Sequence, residues 1–428
     1  MTAASCRRLL YPGFLLLGLC LPLSKSASTI LLGVLLALAL AGLSNSREFR
    51  GEIRRAARQP LTAALAIFCL VAYAGILHTE NHRDGLSVAN KFVTLPIIYL
   101  FVSAFLQSDP SEEARDRRAA NLLLSFLAGL ATLDLIALAS LLGVAGATRD
   151  TLPLSPLGMH HIWFANLNAL GCYAALAFLL CARSRGIPAR GRAALWGFLL
   201  LSLTCIVLSL SRTAWFGMAL TSAVLAGAAI RGRKTFVAAA ALSILAFALA
   251  YALVPPVHDR LRLIADETAL FFSDRNVRSS VGDRFLMWQA ALRMFRESPL
   301  IGVGTGDYSR VIAAWHDAGT VPAALLEFNQ PHNIYLFSMA TNGLAGLAAL
   351  LFIFFRGLAS VAPAVRSGGR GRLFAFLGMA TAVHFMVAGF LDSFFNIQVL
   401  RYAFAFIMGV CIRGCASGSA RAGKLTIA

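Results

Sequence analysis

Three residues far apart in the chain have side chains that could do chemistry, two arginines that can meet an anion and a histidine that can take a proton. Arg212, in Ser209-Leu210-Ser211-Arg212-Thr213, is the only charge in the 37 residues from 194 to 230. Its guanidinium is a rigid, permanently charged fork of donors that matches phosphate oxygens two at a time. Arg284 follows Asp283 at the head of an amphipathic run, so Asp283 reads as an N-cap and Arg284 as the opening residue of a helix. Free backbone N–H groups at such a start favour a phosphate. His332 stands in Asn329-Gln330-Pro331-His332-Asn333-Ile334-Tyr335, where a rigid proline and a neighbouring amide suit an imidazole acting as general base. Each has a plainer role as well. Arg212 could snorkel to lipid headgroups, Arg284 could anchor to the same headgroups or pair with Asp283, and His332 could simply cap a helix or sit at the interface.

Asp392, Lys91 and Glu327 are further ionisable groups expected at the same surface. Asp392 is placed to orient His332 or to pair with an arginine, and Lys91 and Asn333 are supporting candidates. Gly302-Val303-Gly304-Thr305-Gly306 has the look of a phosphate-cradling loop, but it follows Ser298-Pro299 at a helix end and not a strand, so it reads as a turn. His160 and His161 have no acids at metal-ligand spacing, and no metal site is expected. The eight cysteines contain no CxxC pair and all lie in or beside apolar segments, so neither a disulfide nor a thiolate metal site is expected.

The elements that position these residues follow from composition. Of 428 residues, 58% are hydrophobic and 14% charged, and the mean hydropathy of +0.72 excludes a water-soluble core with a polar shell. The formal charge of +18 would suggest nucleic acid in a soluble protein, but here the basic residues flank apolar runs, and no nucleic-acid partner is expected. With about 20 apolar residues needed per crossing, spans are expected near 8–23, 28–44, 61–78, 88–107, 119–146, 160–182, 193–210, 213–230, 235–254, 333–355, 373–391 and 397–413. A retained first helix is simpler than a cleaved signal peptide. The 194–230 run as one helix would be about 56 Å long, so it must fold into two, and the chain can turn only around Ser209 to Thr213. Arg212 then lies at a membrane surface and not at the bilayer centre.

Orientation follows from Lys and Arg in the short connections, which number 24 on one side and six on the other. Both termini are then cytoplasmic, and seven of the eight histidines lie at or near the outer face, with His384 inside a span. The chain divides into spans over 1–254, an outer loop over 255–332, and spans with a tail over 333–428. A loop of that length without structure is uncommon, and 258–272 and 283–297 both have helical periodicity, as helices lying on the membrane surface.

The Ser-Arg-Thr turn between two spans, the long outer loop with its arginine-started helix, and Pro-His-Asn at the loop's end together resemble the O-antigen ligase and polymerase superfamily. The resemblance is strongest from 193 to about 355 and closest to the lipopolysaccharide O-antigen ligases, which have a His, ten residues and a Gly where this chain has His332 and Gly343. It implies a metal-independent, cofactor-free glycosyltransferase of the bacterial inner membrane. Such an enzyme moves a glycan from undecaprenyl pyrophosphate to lipid A-core on the periplasmic face, with inversion. Arg212 and Arg284 would hold the pyrophosphate and His332 would activate the acceptor hydroxyl, with Arg260, Arg262 or Arg278 open as the second arginine. An O-antigen polymerase, or a transferase to protein Ser, would share the donor. A transporter or flippase is the competing class, but it would place ionisable sites near the midplane in repeated halves, and here they gather on one surface with no repeat evident.

Overall fold

The structure is a computed structural model that describes residues 3–107, 111–144, 152–229, 248, 251–252, 255–273, 278–367, 369 and 371–415. Among the described residues every regular element is helical: α1 (Ala3–Leu23), α2 (Lys25–Asn45), α3 (Arg47–Ala57), α4 (Pro60–Ala74), α5 (His82–Gln107), α6 (Glu112–Leu141), α7 (His161–Leu180), α8 (Ala189–Leu208), α9 (Arg212–Ala229), α10 (Pro255–Phe272), α11 (Ser280–Glu297), α12 (Tyr308–Asp317), α13 (Ile334–Ser367), α14 (Arg372–Ala388) and α15 (Gln398–Cys415). Eight are long and apolar enough to cross a membrane, and Arg8–Leu23 and Arg372–Ala388 are shorter apolar helices. Helices close all their backbone hydrogen bonds within the segment, which hydrocarbon demands, and the chain is an all-helical membrane protein. The expected span at 235–254 lies almost wholly outside the described residues, and a total of twelve crossings is not established by the rest.

Burial sorts the helices into a centre and a rim. In α15, 83% of the apolar window is buried, against 28% in α2 and in α8. The centre is filled by aromatic rings: Phe385, Phe395 and Phe404 of α14, the α14–α15 connection and α15 pack with centroids 4.8–5.8 Å apart. His384 contacts the Tyr173 hydroxyl at 3.1 Å and the Asn166 Oδ1 at 2.9 Å, which makes it a satisfied packing residue. The basic stretch after α2 is itself a helix, α3, with Ser46 capping it through the Phe49 N–H.

The 194–230 run divides where its length demands. α8 ends at Leu208 and α9 begins at Arg212, with Leu210 in the left-handed region at φ 51°. The helix expected over 283–297 starts earlier, at Ser280, because Ser279 and not Asp283 is its cap, accepting from the Gly282 N–H at 3.0 Å. Arg284 therefore sits in the second turn and not at the free N–H groups of the helix end. The glycine-rich stretch 302–306 is a packing turn: Val303 N–H donates to the Ala340 carbonyl at 2.8 Å and Gly304 N–H to that of Thr341 at 3.1 Å.

That docking explains Gly343. α13 breaks there, at φ 59° and ψ −151°, and Leu344 N–H turns outward to the Pro299 carbonyl at 2.8 Å. A Cβ on Gly343 would lie 2.3 Å from the Leu300 carbonyl carbon, so only glycine lets the 299–304 strap lie against the broken helix. Gly343→Ala is expected to cost on the order of 3–5 kcal/mol. Gly197→Ala, where a Cβ would meet nothing within 4 Å, is the control. Thermal unfolding in detergent should separate the two sharply, and equal midpoints would refute this account of the break.

Candidate functional site

The α6–α7 and α8–α9 connections and the 255–333 segment meet at the end of the bundle expected to face outward. There a cavity of about 280 Å³ is lined by Arg212, Arg260, Arg284 and His332, together with His160, His161 and Asp283. Each side chain has a local reason for its position. Arg212 is the first residue of α9, thrown to the surface by the turn at Leu210. Its Nη2 donates to Ser280 Oγ at 2.8 Å, tying the start of α9 to the start of α11. Its Nη1 is buried with no hydrogen-bond partner among the described residues. Buried donors left in that state mark a missing acceptor.

Arg284 makes no hydrogen bond among the described residues and is partly buried. Burial lowers its proton affinity, while the charges of Asp392 and Glu267 raise it. A guanidinium nevertheless stays protonated, so the cavity holds its charge. Glu267 is itself buried and accepts from the Val281 N–H at 3.0 Å, which seats α10 against the first turn of α11. Asp283 lines the same cavity and, without the capping role expected of it, has a pKa raised by burial. Among the other arginines considered, Arg260 lines the cavity. Arg262 is exposed and Arg278 pairs with Glu327 at 3.1 Å on the surface.

His332 is held on four sides. Its φ of 48° is a left-handed conformation for a residue with a Cβ, a strained geometry that the surroundings must enforce. Trp288 Nε1 donates to the Pro331 carbonyl at 3.0 Å, and the Phe328 ring meets the imidazole edge-on at 6.0 Å. On the other side, Asn333 Oδ1 accepts from the N–H groups of Tyr335 and Leu336, both at 3.0 Å, so Asn333 is the cap of α13 and not a ligand of the cavity. Finally, Asp392 Oδ1 lies 3.1 Å from His332 Nδ1 and also accepts from the Ser393 N–H at 2.8 Å. A carboxylate at Nδ1 holds the proton there and turns the Nε2 lone pair to the cavity. Lys91 belongs elsewhere: it lines a neighbouring cavity.

His160 and His161 were passed over in the sequence because their spacing suits no metal. They stack at 4.4 Å on the cavity wall, and the His160 pKa is lowered chiefly by burial, with Asp392 acting against it. The legible signal was their place at the outer start of a span. Among the described residues no three His, Cys, Asp or Glu side chains stand close enough to hold a metal ion. What the cavity offers is three guanidinium groups for an anion and one oriented imidazole for a proton.

Residues 197–351 match the family model described as O-antigen ligase. That stretch runs from α8 into α13 and contains Arg212, Arg260, Arg284 and His332. Over that stretch the chain is similar to the O-antigen ligase family. It is also 29% identical over 97 residues to an uncharacterized protein of Haemophilus influenzae, covering 23% of this chain. The aligned stretch is 24% of that relative's length, about a quarter of it.

The tautomer of His332 is a direct test of what Asp392 does. In ¹⁵N-histidine spectra the wild type should show His332 protonated at Nδ1. In Asp392→Asn the amide can donate to Nδ1, and the proton should move to Nε2. An unchanged tautomer in the variant would show that Asp392 does not orient the ring.

Proposed function

We propose that this chain is an O-antigen ligase. It transfers a glycan from undecaprenyl pyrophosphate to a hydroxyl of lipid A-core at the periplasmic face of the bacterial inner membrane. The observation that carries the proposal is the convergence of Arg212, Arg284 and His332, from three separate segments, on one cavity. In this reading Arg212 and Arg284 bind the two phosphates, with Arg260 as a third cation at the rim. His332 Nε2 takes the proton from the acceptor hydroxyl. The oxygen attacks the anomeric carbon, the bond from that carbon to the phosphate oxygen breaks, and undecaprenyl pyrophosphate departs. A single displacement of this kind inverts the anomeric centre.

The energetics favour arginine for the work. The charge that grows on the leaving diphosphate is met by preorganised guanidinium donors in a site largely shielded from water, where such contacts stabilise most. The buried, unpartnered Nη1 of Arg212 is a donor already oriented and desolvated before the donor lipid arrives. The cationic groups therefore do what a divalent metal does for other diphosphate leaving groups, and transfer is expected to persist in EDTA.

The test is reconstitution in nanodiscs with an undecaprenyl-pyrophosphate-linked glycan, with lipid A-core, an unlinked repeat unit or an acceptor protein supplied in turn. His332→Ala should abolish transfer while donor binding stays within about threefold. Arg212→Ala should weaken donor binding about 10- to 100-fold, the size of one lost charge-assisted contact. Transfer only to the repeat unit or to the protein would replace ligase by one of those sister activities. Full activity of His332→Ala would remove it as the base.

A further inference from the structure

Beside the arginine cavity lies a larger one of about 500 Å³, within the roughly 300–1,000 Å³ typical of small-molecule sites. The two share walls. Residues His160 to Ile162 line the first and Trp163 the second, while Phe328 and His332 line the first and Asn329 and Gln330 the second. His332 thus stands on the partition between them. The second cavity has its own chemistry. Three cations face it, Lys25, Lys91 and Arg401, against one carboxylate, Asp84. Asp84 is engaged, accepting from the Asn81 amide at 2.7 Å.

Arg401 is the informative residue. It is 3% exposed. Its Nε donates to Thr94 Oγ1 at 2.9 Å and its Nη1 to the Phe395 carbonyl at 2.6 Å, which leaves Nη2 without a hydrogen-bond partner among the described residues. A buried guanidinium fixed by two neutral acceptors, with no acid paired to it among the described residues, is costly unless an anion completes it. Lys25 is steered to the same place, its Nζ 4.4 Å above the Trp163 ring, and its helix start is held by Gln398, which donates to the Lys25 carbonyl at 3.1 Å. Side-chain amides and an aromatic face beside fixed cations are the donor set for a sugar that carries a negative charge.

We propose that this second cavity binds the acceptor, holding a phosphate-bearing saccharide of the membrane-anchored acceptor between Lys25, Lys91 and Arg401, and presenting its hydroxyl to His332 across the shared wall. The proposal rests on the ligase reading for the identity of the acceptor. The ligand chemistry itself, an anionic sugar, rests on the lining alone.

The test reads binding without turnover. The full chain in neutral-lipid nanodiscs is titrated with lipid A-core, with the same lipid A-core after its phosphates are removed by hydrofluoric acid, and with phosphatidylglycerol as competitor. Wild type should prefer the phosphorylated form by about tenfold or more. The double variant Lys25→Gln/Lys91→Gln should lose that preference while binding of undecaprenyl pyrophosphate is unchanged. Both lysines are exposed, so the fold is retained. Equal binding of the two forms by wild type, or an intact preference in the double variant, overturns the proposal. So does displacement by phosphatidylglycerol at equal concentration, which makes the cavity a headgroup site. Failure of the ligase reading has a different signature: no transfer of glycan to lipid A-core by a wild type that still binds it with the phosphate preference.

Discussion

Where a chain at membrane depth stops being helical, its freed N–H and C=O groups have no water to bond and must find partners inside the protein. The places where this protein meets that demand are the places where its site is built. At the α8–α9 turn, Ser209 and Ser211 side chains accept from nearby N–H groups, and Arg212 is the residue delivered to the surface. At the start of α13, Ile334 N–H donates to the Gly389 carbonyl at 2.8 Å, which fixes the end of α14 to the segment carrying His332. At the break in α13, the 299–304 strap receives what Gly343 releases, and the strap continues from α11, the helix of Arg284. The three functional side chains are thereby attached to backbone that cannot move without leaving polar groups unpaired, which is how a reactive geometry is held in a fluid bilayer.

Asp392 links the electrostatics to that backbone. It is almost wholly buried, it hydrogen-bonds both His332 and the Ser393 N–H, and its charge acts on Arg284 and His160. An anion buried among so many positive groups is stable where an isolated one would not be. Arg212 Nη1 has no hydrogen-bond partner among the described residues.

Much of this was legible in the sequence, and the reasons are physical. The Arg212 turn followed from length alone, because a run of 37 residues with one arginine near its middle cannot form one transmembrane helix. His332 and Asp392 could be named as partners because both fall where spans meet the outer face. The helix of Arg284 was legible in its periodicity but not in its start: Ser279 and Asp283 are both good caps four residues apart, and the contact of Glu267 with the Val281 N–H, which favours the earlier one, joins residues 14 apart through tertiary packing. Lys91 shows the same limit from the other side. It lines the neighbouring cavity, since helix count and charge distribution fix the depth of a residue and not its angular position in the bundle.

The angular arrangement is what makes two cavities instead of one. The 328–332 segment runs between the two cavities, pinned by Trp288 at the Pro331 carbonyl and by the left-handed turn at His332. Its residues divide between them: Phe328 and His332 line the cavity of the arginines, Asn329 and Gln330 that of the lysines. A displacement that inverts a centre needs its nucleophile and leaving group on opposite faces of the reacting carbon. In the proposed reading, the cations that would hold the diphosphate line one side of the partition, the anionic sugar site would lie on the other, and the imidazole stands at its edge. His332, at φ 48°, ends that segment directly before Asn333, the cap of α13, and its ring lines the arginine cavity.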